Sequence, residues 1–264
     1  MTQRRELDNR LALYGDLSGI LSAMRSFALA ELRRVTQRED AQQRSAQSLS
    51  EAFDAMSPAL PPAGAPAGDI WLLLGSVRGF CASFNEDVAN RWRQEKPRPL
   101  ATIVAGERLA ALMPEEASAV AGAVSATDAV PAIERILGAV DGTRQVVGSD
   151  AGLVVCLRDE DGARVERLQP FSVSSGRTPD ELPVTHEPAA QVAAGVAQHF
   201  LFHRLLALLL RSLRVENHMR LLQMENALQH IERNTDALKL LRNRLRQDEI
   251  VEEIELIQRD ASRF

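Results

Sequence analysis

The residues Gly75-Ser-Val-Arg-Gly-Phe-Cys-Ala-Ser-Phe-Asn85 follow the apolar run Ile70-Trp-Leu-Leu-Leu74. A glycine-bearing turn between a buried strand and a helix is where many proteins hold a phosphate, because backbone N–H groups there point at the anion. The residue types argue against that chemistry. A phosphate loop needs Lys-Ser or Lys-Thr after its second glycine, and Phe80-Cys81 stand in that place. The dinucleotide fingerprint needs three glycines, whereas Gly75 and Gly79 have the wrong spacing and no third follows. The expectation is a tight strand-to-helix turn, with Ser83 or Asn85 capping the helix behind it.

Other reactive side chains are equally sparse. Cys81 and Cys156 have no cysteine or histidine nearby at ligand spacing, so neither nucleates a metal site. His199 and His203 lie one helical turn apart, yet no third ligand accompanies them, which favours packing over a metal. No nucleophile–base pair or carboxylate cluster can be assembled, so a non-catalytic chain without cofactor is expected. A net charge of −5 excludes a generic polyanion binder. Nearly all the positive charge is arginine, Lys96 and Lys239 being the two lysines, but acidic residues interleave throughout. A nucleic-acid surface would need unopposed charge. The cysteine usage fits a reduced cytosolic setting. The N-terminal stretch lacks the apolar core of a signal peptide. The most lipophilic segment, Phe200 to Leu213, carries His203, Arg204 and Arg211 and is too short to span a bilayer.

The elements that must position these residues are legible from periodicity. Apolar residues at Leu7, Leu11, Tyr14, Leu17, Leu21, Met24, Ala28, Leu32 and Val35 recur in steps of three and four, one stripe on a long helix. It fades into polar residues between Thr36 and Ser50 but meets no proline before Pro58. Residues 57–68 (SPALPPAGAPAG) read as a linker. Strands are expected at Asp69–Gly75, Leu100–Ala105, Leu153–Leu157 and Ala163–Phe171. Helices are expected at Asn85–Gln94, with Val88 and Trp92 inward, and at Ala126–Val140. Alternating strands and helices imply a small, Rossmann-like α/β domain with a largely parallel sheet. After Pro188 nothing breaks helix up to the end, which gives roughly 75 residues or about 110 Å. Its stripe runs through Leu201, Leu205, Leu208, Ser212, Val215, Met219 and Leu222. It turns polar over Gln223 to Asp236 and resumes at Leu238, Leu241, Leu245, Ile250, Ile254 and Ile257. The expected architecture is an antiparallel coiled coil of N- and C-terminal helices (1–56 and 188–264), with the α/β foot domain (69–187) inserted after the linker at 57–68. The longer C-terminal helix should outrun its partner as a single helix.

Within this frame the turn resembles a segment of the γ subunit of F-type ATP synthases, S-D-R-G-L-C-G-G-x-N after the first inner strand. Ser76, Arg78, Gly79, Phe80, Cys81 and Asn85 fit in register, while Val77 replaces the aspartate and Ala82-Ser83 the paired glycines. Ile20 to Met24 followed by Ala30 to Arg34 is similar to the family's I-T-x-A-M…A-x-K-L-R-R helix. Asn243 to Ile250, with Glu253 and Ile257, is similar to its N-K-A-R-Q-x-x-I-T-x-E-L-x-E-I terminus, and Glu216, Arg220 and Met224 keep E-x-x-x-R-x-x-x-M. The resemblance covers both terminal helices and the first strand and turn; the rest of the middle matches in layout.

The resemblance implies a mechanical part: a central rotor inside a hexamer of alternating α and β subunits, its foot on a membrane c-ring, peripheral to the cytoplasmic face of a bacterial inner membrane. The divergent turn and short middle domain lean toward the related N-type branch. Met24 would face the lever regions of β, and Arg246 and Gln247 would hydrogen-bond its catch loop. Arg78, Gly79 and Asn85 would lie near the ε subunit and the ring, in a turn acting as a conformational hinge. Sparse aromatics, 4% of the chain, and polar outer faces suit a shaft whose contacts stay weak at every angle. A coiled-coil adaptor with an α/β head would share the heptads without requiring Arg246 and Gln247.

Overall fold

The computed structural model describes residues 2–61, 64–95, 98–171 and 182–261. Pro62 and Ala63 of the expected linker, residues 172–181 of the middle segment and residues 262–264 of the expected C-terminal helix lie outside them. The elements in chain order are α1 (Thr2–Met56), β1 (Asp69–Leu74), α2 (Phe84–Arg93), β2 (Ala101–Ala105), α3 (Glu107–Ala110), β3 (Ser118–Val120), α4 (Ala129–Val147), β4 (Gly152–Asp159), β5 (Gly162–Gln169) and α5 (Ala189–Ala261).

Proline and glycine decide where the helices stop. α1 tolerates Gly15 and Gly19 but ends at a single 3-10 turn, Ser57–Ala59, that contains Pro58. α4 starts after another 3-10 turn, Ala126–Asp128, and runs seven residues past the expected end, to Val147. Nothing in Gly-Thr-Arg-Gln-Val-Val halts it before Gly148, whose φ of 119° breaks the helix. α3 and β3 were not legible: four and three residues are too few to show a period.

The chain divides into two compact units, Leu29–Arg220, and Met1–Ala28 with Leu221–Phe264. The first contains a five-stranded sheet in the order β3-β2-β1-β4-β5. β1 is parallel to both β2 and β4, β2 is parallel to β3, and β5 returns antiparallel beside β4. This is the expected Rossmann-like arrangement with an antiparallel edge. Both faces are covered, which explains why β1 reads as an unbroken apolar run. Ile70, Leu72 and Leu74 join a core with Val35 of α1, Ile133, Ile136 and Val140 of α4, and Leu205, Leu209 and Leu213 of α5. Trp71 and Leu73 face Val88 of α2 and Leu109 of α3. Trp92 donates its indole N–H to Thr102 Oγ1 at 3.1 Å.

By length and composition α5 contains a window apolar enough to cross a membrane. Its leucines Leu205, Leu206, Leu208, Leu209, Leu210 and Leu213 are buried in the sheet core, which accounts for that apolar content. In the same unit α1 runs antiparallel to α5: Arg214 pairs with Glu39 at 2.8 Å, and Gln42 Nε2 lies 2.7 Å from His203 Nδ1. Phe53 stacks on Phe200 with centroids 4.5 Å apart, and Phe171 packs against both rings.

The second unit is a pair of helical segments. Arg4 reaches Glu249 at 3.2 Å and Asp8 reaches Arg242 at 3.6 Å, so the two strands of the pair run antiparallel. Leu7 and Ala28 of the sequence stripe are buried, as is Met224. α5 continues past the Arg4–Glu249 pair to Ala261, with Ile250, Val251, Ile254 and Ile257 exposed. Leu222, expected in the seam, is exposed.

Candidate functional site

Between β1 and α2 the turn is built around Asn85. Its side-chain Oδ1 accepts the Ser76 N–H at 2.9 Å, and its Nδ2 donates to Ser76 Oγ at 2.8 Å. Ser76 Oγ in turn donates to the Arg78 carbonyl at 2.9 Å and lies 3.4 Å from Cys81 Sγ. Ser76, Cys81, Phe84 and Asn85 are all buried. The capping expectation is therefore corrected. Ser83 occupies the N-cap position without a side-chain cap bond and donates instead to Asp87 Oδ2, while Asn85 reaches backwards to close the loop. Three backbone amides at the turn are engaged within the chain: Ser76 N–H by Asn85, Phe84 N–H by the Cys81 carbonyl, and Asp87 N–H by the Ser83 carbonyl.

Gly75 is required for a different reason. A Cβ there would come 2.2 Å from Leu109 Cβ, so glycine lets α3 press onto the end of β1. At Gly79 the nearest atoms to an added Cβ are those of the Arg108 guanidinium, 3.8 Å away. The strained positions are Phe80 (φ 61°) and Ala82 (φ 50°), both in the left-handed region. Ala82 stands where the resembling family has the first of its paired glycines, so a methyl group is carried where glycine is at ease.

The turn is held from the far side by α5. Arg220 Nε donates to the Gly79 carbonyl at 3.1 Å, and its Nη2 reaches the Arg78 carbonyl at 3.4 Å. Nη2 also pairs with Glu216, and Nη1 donates to Asn217 Oδ1 at 2.9 Å. Glu216, Asn217 and Arg220 are buried. Burial pushes the Glu216 carboxyl up from its ordinary value, while the Arg220 charge and hydrogen bond and then the Arg78 charge pull it back. Cys81, Phe84, Val215 and Met219 close over the junction. The loop is tied to both α2 and α5 by hydrogen bonds that oppose bending. Sequence reasoning noted Glu216 and Arg220 as a pattern but missed this role, because nothing local links residues 79 and 220.

The thiols are inert by environment. Burial raises Cys81 above its usual range against the Ser76 hydrogen bond, and burial pushes Cys156 up to about 12. His203 is tied to Gln42, and burial and then the neighbouring His199 lower its pKa. Among the described residues no cluster of histidine, cysteine and carboxylate side chains could hold a metal.

Arg78 and Phe80 are exposed at the turn, Gly79 is half-buried, and Asn85 is buried. In the helical-pair unit Met24 is half-buried, whereas Arg246 and Gln247 are exposed. Leu13 and Phe27, and Ile20 of the quoted motif, are exposed apolar residues outside the α1 stripe, Phe27 at 74%. Their excess over the stripe was the signal available in the sequence.

The unit 29–220 thus carries the sheet and a pinned turn, and the helical-pair unit carries an apolar, exposed surface. The sequence profile of the ATP synthase family matches residues 3–258, and the chain belongs to that family, in its γ-subunit branch. Members are non-catalytic subunits, and this chain is a rotor shaft of an ATP synthase. No curated protein matches it by sequence. Solved structures that share its fold include three from mitochondrial ATP synthases. The rotor of the Euglena gracilis mitochondrial ATP synthase in rotational state 1 is 13% identical with a TM-score of 0.63, over 94% of this chain and 99% of that one. A chain of the Euglena gracilis OSCP/F1/c-ring structure in rotational state 3 is 14% identical with a TM-score of 0.66, over 97% and 92%. A chain of the Tetrahymena thermophila mitochondrial central stalk/c-ring is 15% identical with a TM-score of 0.55, over 79% and 99%.

Proposed function

We propose that this chain turns inside a hexamer of alternating α and β subunits, couples ion flow through a membrane c-ring to ATP synthesis or hydrolysis, and works peripherally at the cytoplasmic face of a bacterial inner membrane. The observation that carries the reading is the exposed surface of the helical-pair unit in a chain of this family. Ile250, Ile254 and Ile257 line one side of the α5 overhang, and Arg246 and Gln247 offer exposed directional donors beside it. Support comes from two structural relatives, one solved within an OSCP/F1/c-ring assembly and one within a central stalk/c-ring assembly. In this reading residues 1–56 and 188–264 form the shaft, 57–68 the linker and 69–187 the foot. Met24, Arg246 and Gln247 contact β, with charge-assisted hydrogen bonds from Arg246 giving the contact its direction. Arg78 and Gly79 contact ε or the ring, and Asn85 serves that contact by holding the turn.

The test is purification of the tagged chain from its own membranes, with an ATPase assay. Recovery of α and β subunits with Mg-dependent hydrolysis is expected. Arg246→Ala or Gln247→Ala should lower coupled activity and leave the melting temperature unchanged, because both side chains are exposed. Recovery of the chain without the hexamer would favour the adaptor role instead.

A further inference from the structure

Arg220 lies at the end of the 29–220 unit, and its guanidinium serves four acceptors: the carbonyls of Arg78 and Gly79, Asn217 Oδ1 and the Glu216 carboxylate. Before this point α5 is held to the sheet by leucines, Leu205 to Leu213, and by the part-exposed pairs Arg204–Glu166, Arg211–Asp159 and Arg214–Glu160 on the β4–β5 hairpin; Arg220 is the buried arginine that reaches the β1–α2 turn. Apolar burial is non-directional, so it resists separation better than it resists a helix turning about its own axis. A guanidinium fork is directional and cannot be deprotonated in a protein. Turning α5 would pull the buried Arg220 donors away from two backbone carbonyls of the turn and leave them unsatisfied, while Glu216, its i,i+4 partner, rides on the same helix and keeps the guanidinium aimed. The acceptors are also well anchored. The Arg78 carbonyl receives Ser76 Oγ as well, and Ser76 is fixed by Asn85 of α2.

We propose that the Glu216–Arg220 pair is a torsional key, fixing the rotational register of α5 against the β1–α2 turn so that torque passes between sheet and shaft without being lost in twist. This rests on the rotor reading above, and Arg220 acts as a positioning residue that touches no nucleotide. The general trade of a buried ion pair for well-packed apolar residues often preserves stability. The double substitution Glu216→Met with Arg220→Leu therefore separates the key from simple packing.

Two measurements on the full chain and the assembled enzyme test it. In the isolated chain, amides of residues 76–85 should exchange roughly tenfold faster or more in the double variant, with the melting temperature shifted by no more than about 3 °C. In the assembled enzyme, ions transported per ATP hydrolysed should fall about threefold or more while hydrolysis persists. If the double variant does not fold, Arg220→Lys takes its place; it keeps the charge and loses the fork, and should show both effects at smaller size. Unchanged exchange at 76–85 would overturn the key itself. Faster exchange with an unchanged transport ratio would overturn its mechanical role. Failure of the wild-type chain to support any coupled hydrolysis, with faster exchange still seen, would overturn the rotor reading and with it the torque-bearing claim, leaving the key as a structural clamp.

Discussion

Gly75 and Gly79 stand four residues apart and do unlike work. At Gly75 a Cβ would collide with Leu109 Cβ at 2.2 Å, and both atoms sit on ordered backbone, so the clash cannot be relieved by a flexible side chain. Gly75→Ala should cost about 3 kcal/mol, the upper part of the overpacking range, seen as a lower denaturant midpoint. At Gly79 the same change meets only the Arg108 guanidinium at 3.8 Å, with no positive φ. Gly79→Ala should leave stability within about 0.5 kcal/mol of the wild type. A loss of coupled activity in that variant would then report a partner at the turn. The residue types of this site were legible as a motif, and the argument against a phosphate followed from Phe80 and Cys81 alone. The work of Asn85 was not legible. Its position two residues after Ser83 suits an N-cap as well as a loop clamp, and only the path of residues 77–83 decides between them.

Among the elements, the long helices and the buried strands were readable because their periods persist. α3 and β3 were not, since they owe their form to neighbours, β3 pairing through Ser118 to Val120 with β2. The β4–β5 hairpin carries a charge constellation that periodicity could not foretell. Asp159 at the end of β4 accepts Arg211 Nε at 2.8 Å and the Glu160 N–H at 2.8 Å, and Arg164 lies at 3.5 Å. Burial opposes its carboxylate, but the Arg211 hydrogen bond, the Glu160 amide, the Arg211 charge and Arg164 together hold its pKa below the ordinary 3.8. A depressed acid stabilises the fold above its unfolded pKa, and that contribution disappears as pH falls through the folded value. Asp159→Asn should therefore destabilise the chain by about 1–2 kcal/mol at pH 7, discounting the part-exposed Arg211. Equilibrium unfolding of the variant should be less dependent on pH below about 4 than that of the wild type.

For the whole molecule, the division into two compact units has a dynamic consequence. Residues 29–220 hold an extensive sheet core, whereas the helical-pair unit buries few large side chains and leaves Ile20, Phe27, Leu240 and Ile257 in solvent. Native-state hydrogen exchange should find the amides of β1 and β4 among the most protected and those of residues 4–20 and 230–258 considerably faster. Equal protection in both units would show that the paired helices gain stability from something beyond these contacts.

Both thiols of this chain are buried and raised in pKa, Cys156 to about 12. For anyone wishing to watch the shaft turn, this makes the natural chain already a blank background. A cysteine placed at Leu240, a residue 63% exposed on α5, would meet maleimide as an ordinary surface thiol while the two native ones stay silent. A dye or a bead could be attached at one chosen point without first removing a cysteine that helps to close the turn.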